Sequence, residues 1–263
     1  YDTALLVENT VRKNNAVPAT IAIIDGKIKV GLSLRDLEII STGKNILKAS
    51  RRDLPVIISK KLHAATTVSA TMICAALASL KIFATGGIGG VHRNAQNTFD
   101  ISADLKELSI TNIAVVSAGV KSILDIGLTL EYLETMGVPV IGYRTDEFPA
   151  FYTRQSGYKV NYRLDSPEEI AEAIKVKREL GLNGGVIIAN PVTEEFSMDK
   201  KIIDEAIEAS LKKADENNIK GKDVTPFLLS EINNITGGTS LESNIRLVMN
   251  NAKLAAEIIV RSV

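Results

Sequence analysis

Asn112-Ile-Ala-Val-Val-Ser-Ala-Gly-Val-Lys-Ser-Ile-Leu-Asp125 is the stretch that decides the fold. Its run Ile113-Ala-Val-Val116 is continuously apolar and rich in β-branched residues, the pattern of a strand buried on both faces. It stops at Ser117-Ala-Gly119, a turn composition, and helical sequence follows. Three other runs have the same form, Lys81-Ile-Phe-Ala84, Val138-Pro-Val-Ile141 and Gly185-Val-Ile-Ile-Ala189. Each leads into a turn and then a helix. Apolar strands alternating with amphipathic helices are βαβ units. The expected class is α/β: a sheet with parallel βαβ units, covered by helices on both faces, with a helical C-terminal third.

Working outward, residues 2–14 read as an amphipathic helix with Leu5, Leu6, Val7 and Val11 toward one side. Asp25-Gly26 between two β-rich runs, 19–24 and 27–30, is a two-residue hairpin signal. Ser33 is placed to cap a helix running to Ile40, Asp53 and Pro55 to open another, and residues 66–80 read as a long apolar helix. From Met198 to Val263 the sequence reads as almost all helix. No repeat, low-complexity tract or linker divides the chain, so a single α/β domain over 1–263 is expected.

The 263 residues are 45% hydrophobic and 24% charged, which is globular rather than disordered. Lys and Arg equal Asp and Glu at 31 each, so no overall field draws the chain to nucleic acid or an anionic membrane. Any phosphate must be met by a local site. Cys74 is the single cysteine, which excludes an intramolecular disulfide, and its apolar surroundings favour a small buried hydrophobe over a nucleophile. The longest apolar run is too short to span a bilayer, and the start lacks a signal-peptide pattern. A cytoplasmic protein is expected.

Ligands of such sheets sit beyond the carboxyl ends of the strands, and chemistry-bearing residues gather there. Thr85-Gly-Gly-Ile-Gly-Gly-Val-His-Arg93 lets backbone approach a ligand closely, although its spacing is not a dinucleotide fingerprint and a plain turn has the same composition. His92 reads either as a proton relay or as a hydrogen-bonded structural residue. Ser102 has the position of an N-cap. The free amides behind it and its hydroxyl suit a phosphate, and Asp100 just ahead suits a hard cation such as Mg²⁺ or Mn²⁺; a plain capped helix is the alternative. Lys121, at a strand-to-helix turn beside a helix N-terminus and partly buried among Val120, Ile123 and Leu124, is expected to have a lowered pKa and to offer the neutral amine that Schiff-base chemistry needs, unless it is an ordinary surface lysine. The cationic run from Lys48 to Arg52, ahead of a helix, reads either as a solvated basic turn or as the source of a phosphate ligand, for which Lys48 is the best placed. Asn244, Asn250 and Asn251 follow the break at Gly237-Gly238. Facing a cleft, an asparagine can read a base edge by donating and accepting at once; on an exposed face it does nothing of the kind.

Together these segments resemble the pseudouridine-5′-phosphate glycosidase family. The resemblance runs through Val17-Pro-Ala-Thr-Ile-Ala22, Ser50-Arg-Arg-Asp-Leu-Pro55, Ala65-Thr-Thr-Val68, Phe83-Ala-Thr-Gly-Gly-Ile-Gly-Gly-Val-His92 and Thr98-Phe-Asp-Ile-Ser-Ala-Asp104. It continues in Lys121-Ser-Ile-Leu-Asp125, Tyr132-Leu-Glu-Thr135, Gly142-Tyr143, Phe148-Pro-Ala-Phe151, Ala189-Asn-Pro191 and Val224-Thr-Pro-Phe-Leu-Leu229. It implies metal-assisted, reversible conversion of pseudouridine 5′-phosphate to uracil and ribose 5-phosphate. In it Lys121 matches the lysine that forms the adduct with the ring-opened sugar, an iminium at C1′ being the electron sink. Asp100 matches the carboxylate of a Mn²⁺ site (Mg²⁺ or another divalent cation also fitting), one per subunit. Ser102, Ala103 and Asp104 match the substrate-binding turn, Lys48 and Val68 substrate contacts, Asn244 a position near the base, and His92 a residue lining the site. The resemblance also implies a homotrimer.

Two departures stand out. Nothing matches the family's N-terminal segment with its proton-donor glutamate, so a chain truly beginning at Tyr1 is expected to have severely reduced activity. Asn94 stands where the family usually has glycine, and since asparagine tolerates left-handed geometry the turn is expected to survive. Two other functions remain consistent with the residues: a Schiff-base aldolase or lyase of a sugar phosphate, and a non-catalytic nucleotide-binding module.

Overall fold

The computed structural model describes residues 1–219 and 224–262. In chain order the elements are α1 (Asp2–Lys13), β1 (Ile21–Ile24), β2 (Lys27–Val30), α2 (Leu34–Thr42), β3 (Leu47–Ala49), α3 (Leu54–Ser59), β4 (Ala64–Thr66), α4 (Val68–Leu77), β5 (Ile82–Ala84) and β6 (Val91–His92). Then come α5 (Ala95–Thr98), α6 (Ala103–Ile110), β7 (Ala114–Ser117), β8 (Leu124–Asp125), α7 (Ile126–Thr135), β9 (Val140–Tyr143), β10 (Tyr162–Leu164), α8 (Pro167–Glu179) and β11 (Val186–Ala189). The last third is α9 (Lys200–Glu216), α10 (Val224–Ile235) and α11 (Thr239–Val260), as its periodicity predicts. The expected helical reading of 220–223 and 263 lies outside the described residues.

The main sheet has the order β10-β9-β11-β7-β5, and every neighbouring pair is parallel. All four apolar runs read from the sequence are strands of it. Alternate residues of each strand feed two cores. Val115, Val140 and Ile187 point with Met72, Leu105, Leu133 and Ile207 into one; Ala114, Val116, Ile141 and Ile188 point with Ile170, Ile174 and Leu254 into the other. Both faces are therefore covered, which is why these strands read as unbroken apolar runs. Each wholly buried Ile or Leu among them contributes about 1.5–3 kcal/mol. Cys74 is buried within α4, a packing residue as expected.

A second sheet, β2-β1-β4-β3, packs its own small core around Ile23, Ala49, Leu54 and Ala64. The Asp25-Gly26 hairpin forms between β1 and β2, and Ser33 caps α2 by accepting from the Asp36 N–H. The expected helix over 66–80 is corrected here. Ala64–Thr66 is a strand between β1 and β3, and the helix starts only at Val68, with the Thr67 hydroxyl accepting from the Ala70 N–H. An alanine pair has little intrinsic preference for a strand, so partners distant in sequence decide its state.

Among the described residues, no helix is long and apolar enough to cross a membrane.

Candidate active site

Beyond the carboxyl ends of β5 and β7 the chain keeps pairing without regular strands. Thr85 N–H donates to the Val116 carbonyl at 3.0 Å, Ala118 N–H to Gly86 at 2.9 Å, and Ile88 N–H to Gly119 at 3.0 Å. Lys121 N–H then donates to the Ile88 carbonyl at 3.1 Å. The glycine-rich loop and the lysine segment are thus laced together, and this lacing places Lys121. The expected helix N-terminus is not there: β8, paired with β6, intervenes, and α7 begins only after Asp125, whose side chain accepts from the Leu128 N–H.

The lowered pKa expected for Lys121 is present, through the expected burial and without the helix N-terminus. Burial is its main source; Lys48 pushes it further down and Asp104 partly opposes both. Removing an ammonium from water favours the neutral amine, which is the nucleophilic form.

Ser102 caps α6 by accepting from the Asp104 N–H at 3.3 Å. The Asp104 carboxylate is buried, with one oxygen accepting from the Ser69 N–H at 2.9 Å and the other from the Gly89 N–H at 2.8 Å. It ties the start of α4, the glycine-rich loop and α6 to one point. Gly89 is required there, because a Cβ would lie 2.2 Å from Ser102 Oγ and 2.7 Å from Asp104 Oδ2. Asn94 has the left-handed geometry its turn needs, with φ of 65°.

His92 N–H donates to the Asp100 carbonyl at 3.0 Å, and its Nδ1 lies 3.8 Å from the Asp100 carboxylate. Burial lowers the His92 pKa, Asp100 opposes this, and Lys121 and Lys48 reinforce it. The Asp100 side chain is 48% exposed. Among the described residues no three His, Cys, Asp or Glu side chains cluster as a metal cage. A single half-exposed carboxylate suits a hard cation that keeps most of its own waters, so Asp100 fits Mn²⁺ or Mg²⁺ held in that manner.

Lys48 on β3, Val68 at the first turn of α4, His92, Asp100, Ser102, Ala103, Asp104, Lys121 and Asn244 on α11 all line one cleft of about 1610 Å³. Asn250 and Asn251 do not. Asn251 is wholly buried and Asn250 donates to the Pro191 carbonyl, so neither is free to read a base. Sequence reasoning gave no individual role to Arg51. It lines the cleft while donating at 2.6 Å to Glu107, a wholly buried carboxylate that also accepts from Thr111. The pair spans 51 and 107, and no local pattern announces it. It also missed Thr129, whose hydroxyl accepts from the Val91 N–H at 2.9 Å from under the loop; in sequence it is one more threonine on a helix.

The profile of the indigoidine synthase A like protein family matches residues 1–261. The pseudouridine-5′-phosphate glycosidase of Petrotoga mobilis is 64% identical over 252 residues, covering 96% of this chain and 82% of that protein. The glycosidase of the same name from Escherichia coli is 57% identical over 257 residues, covering 97% and 82%. Among solved structures, the prealnumycin C-glycosynthase AlnA in complex with ribulose 5-phosphate superposes with a TM-score of 0.93 at 39% identity, covering 99% of this chain and 86% of that one. An indigoidine synthase A-like protein of Thermotoga maritima gives 0.91 at 36% identity, with the same coverage. With the fold, the order of the motifs and these identities in agreement, the chain belongs to the indigoidine synthase A-like family that includes the pseudouridine-5′-phosphate glycosidases.

Proposed function

We propose that this protein reversibly cleaves the C1′–C5 glycosidic bond of pseudouridine 5′-phosphate to uracil and ribose 5-phosphate, with Lys121 as nucleophile. The observation that carries it is the Lys121 amine, partly buried and lowered in pKa, in a cleft it shares with Lys48, Asp100 and Ser102. Relatives 57–64% identical that bear the glycosidase name support the substrate.

The bond to be broken joins two carbons, so protonating a leaving oxygen, the device of ordinary glycosidases, gives no help. In the proposed course the Lys121 Nζ lone pair bonds to C1′ as the C1′–O4′ bond opens. The C1′–C5 pair then stays with uracil, whose C5 takes up a proton, while the nitrogen lone pair closes to a C1′ iminium. Water adds to that iminium and returns the free amine with ribose 5-phosphate. Lys48, the Ser102 hydroxyl and the amides opening α6 bind the phosphate. Val68 and Asn244 pack against the nucleotide, and His92 lines the site. Asp100 would hold one divalent cation per subunit, and the charge so supplied would help neutralise the phosphate. The homotrimer rests on the family resemblance.

Incubation of the full-length protein with pseudouridine 5′-phosphate and Mn²⁺, with free uracil followed by chromatography, tests the reading. Uracil release separates it from an aldolase, which also forms an imine but frees no base. No release under any metal condition sinks it.

A further inference from the structure

α11 runs behind the glycine-rich loop, and one of its residues grips the loop from there. The wholly buried Asn251 amide donates to the Thr85 carbonyl at 2.8 Å and more loosely to Gly86 at 3.4 Å. Its carbonyl oxygen accepts from the Asn190 side chain at 2.9 Å, and Asn190 is itself anchored by its N–H to the Ser117 carbonyl at 2.8 Å. Asn251 therefore bridges the carboxyl ends of β5 and β11, and through the Asn190 backbone that of β7. An amide donates from one terminal atom and accepts on the other without carrying charge.

The loop it holds is the partner strand of the lysine segment. From Thr85 and Gly86 the lacing passes to Val116 and Ala118, then through Ile88 to the Lys121 N–H. The same helix presents Asn244, two turns earlier, to the cleft. Asn244 Oδ1 and Val248 Cγ2 lie 3.3 Å and 3.2 Å from where a Cβ on Gly86 would be. The register of α11 against the loop thus fixes the distance between the Asn244 side of the cleft and the Lys121 side.

We propose that Asn251 is a positioning residue for the Lys121 reaction, setting the glycine-rich loop, and through it the lysine backbone, at the height the reacting carbon requires. This rests on the Lys121 chemistry proposed above. Misplacing a reacting group by about 1 Å costs on the order of 100-fold in rate, so a small relaxation of the loop is enough to be measured.

The test compares Asn251→Asp and Asn251→Ser with wild type. The first keeps the acceptor for Asn190 but turns an oxygen toward the Thr85 carbonyl; the second shortens the side chain, withdrawing the amide from Thr85 without adding charge, and serves if the first does not fold. Asn250→Ala is the control, since it loses a bond on the same helix without touching the loop. Each is incubated with ribose 5-phosphate and borohydride, and the Lys121 adduct is followed by mass at a temperature where circular dichroism shows full folding. Uracil release gives kcat and KM. The expected result is adduct formation and kcat lowered about 30-fold in the Asn251 variants with KM within about threefold, and Asn250→Ala within about threefold of wild type in both. Folded Asn251 variants that trap at the wild-type rate, or rates that fall with melting temperature alike in all three variants, overturn the inference. A wild type that neither traps nor releases uracil instead overturns the reading of function, and the inference with it.

Discussion

The Gly89 N–H donates to the Asp104 carboxylate at 2.8 Å, joining the glycine-rich loop to the start of α6. With the Ser69 N–H on the other oxygen, the carboxylate is fully engaged within the protein and still acts on Lys121 as a counter-charge. Asp104→Asn turns an amide toward one of two buried N–H groups. The loss of a charge-assisted bond is expected to cost about 2 kcal/mol, read as a lower melting temperature. Because Asp104 raises the Lys121 pKa, its removal lowers it, and the pH profile of adduct formation shifts to lower pH. A profile that stays in place contradicts this coupling.

Lys48 acts with the opposite sign. It lowers the Lys121 pKa, so Lys48→Met is expected to raise it, leaving less neutral amine at a given pH and moving the profile to higher pH. The same change removes a proposed phosphate ligand, and KM for the phosphorylated substrate should rise about tenfold. Opposite shifts in the two variants identify the effect as electrostatic. Shifts in one direction point to disturbed packing instead.

Gly89→Ala puts a methyl group against Ser102 and Asp104, where there is no room for it. The loop must move by more than its hydrogen bonds tolerate. Uracil release should fall by about 100-fold while the far-ultraviolet dichroism stays that of the wild type. Wild-type turnover shows that the loop adapts freely.

The Arg51–Glu107 pair is expected to matter more for folding than most ion pairs, since Glu107 has no exposure at all. Arg51 is 53% exposed, so the full cost of breaking a buried pair is discounted. Arg51→Ala takes the cation from a buried carboxylate, leaving it the Thr111 hydroxyl, and is expected to cost about 2 kcal/mol. Glu107→Gln, which removes the charge but keeps the shape, should cost less. Denaturant unfolding of both variants decides, and equal midpoints refute the asymmetry.

The parallel sheet was legible because burial on both faces leaves strands such as 185–189 with no polar alternation, a pattern few other structures produce. Beyond the sheet, legibility followed the range of the interaction. Ser33 and Ser102 cap helices through bonds to residues two or three positions on, and both were readable. Thr66 reads as the start of the helix because what makes it the end of a strand, pairing with Ala49, is invisible locally. The direction of the Lys121 shift and its burial are legible in the sequence, but the absence of a helix N-terminus beside it is not, since β6 and β8 meet across more than thirty residues to separate the lysine from the helix. The asparagines of α11 divide the same way. Their types announced a polar role; only the packing shows Asn244 facing the cleft while Asn251 is turned inward to the loop.

The most direct test of the account is a covalent one. The full-length protein is incubated with pseudouridine 5′-phosphate and Mn²⁺, reduced with borohydride and mapped by peptide mass, with released uracil measured in parallel. The predicted result is a ribose 5-phosphate adduct on the peptide containing Lys121, uracil in step with it, and neither from Lys121→Ala. Uracil release with Lys121 unmodified, or from Lys121→Ala, would contradict it.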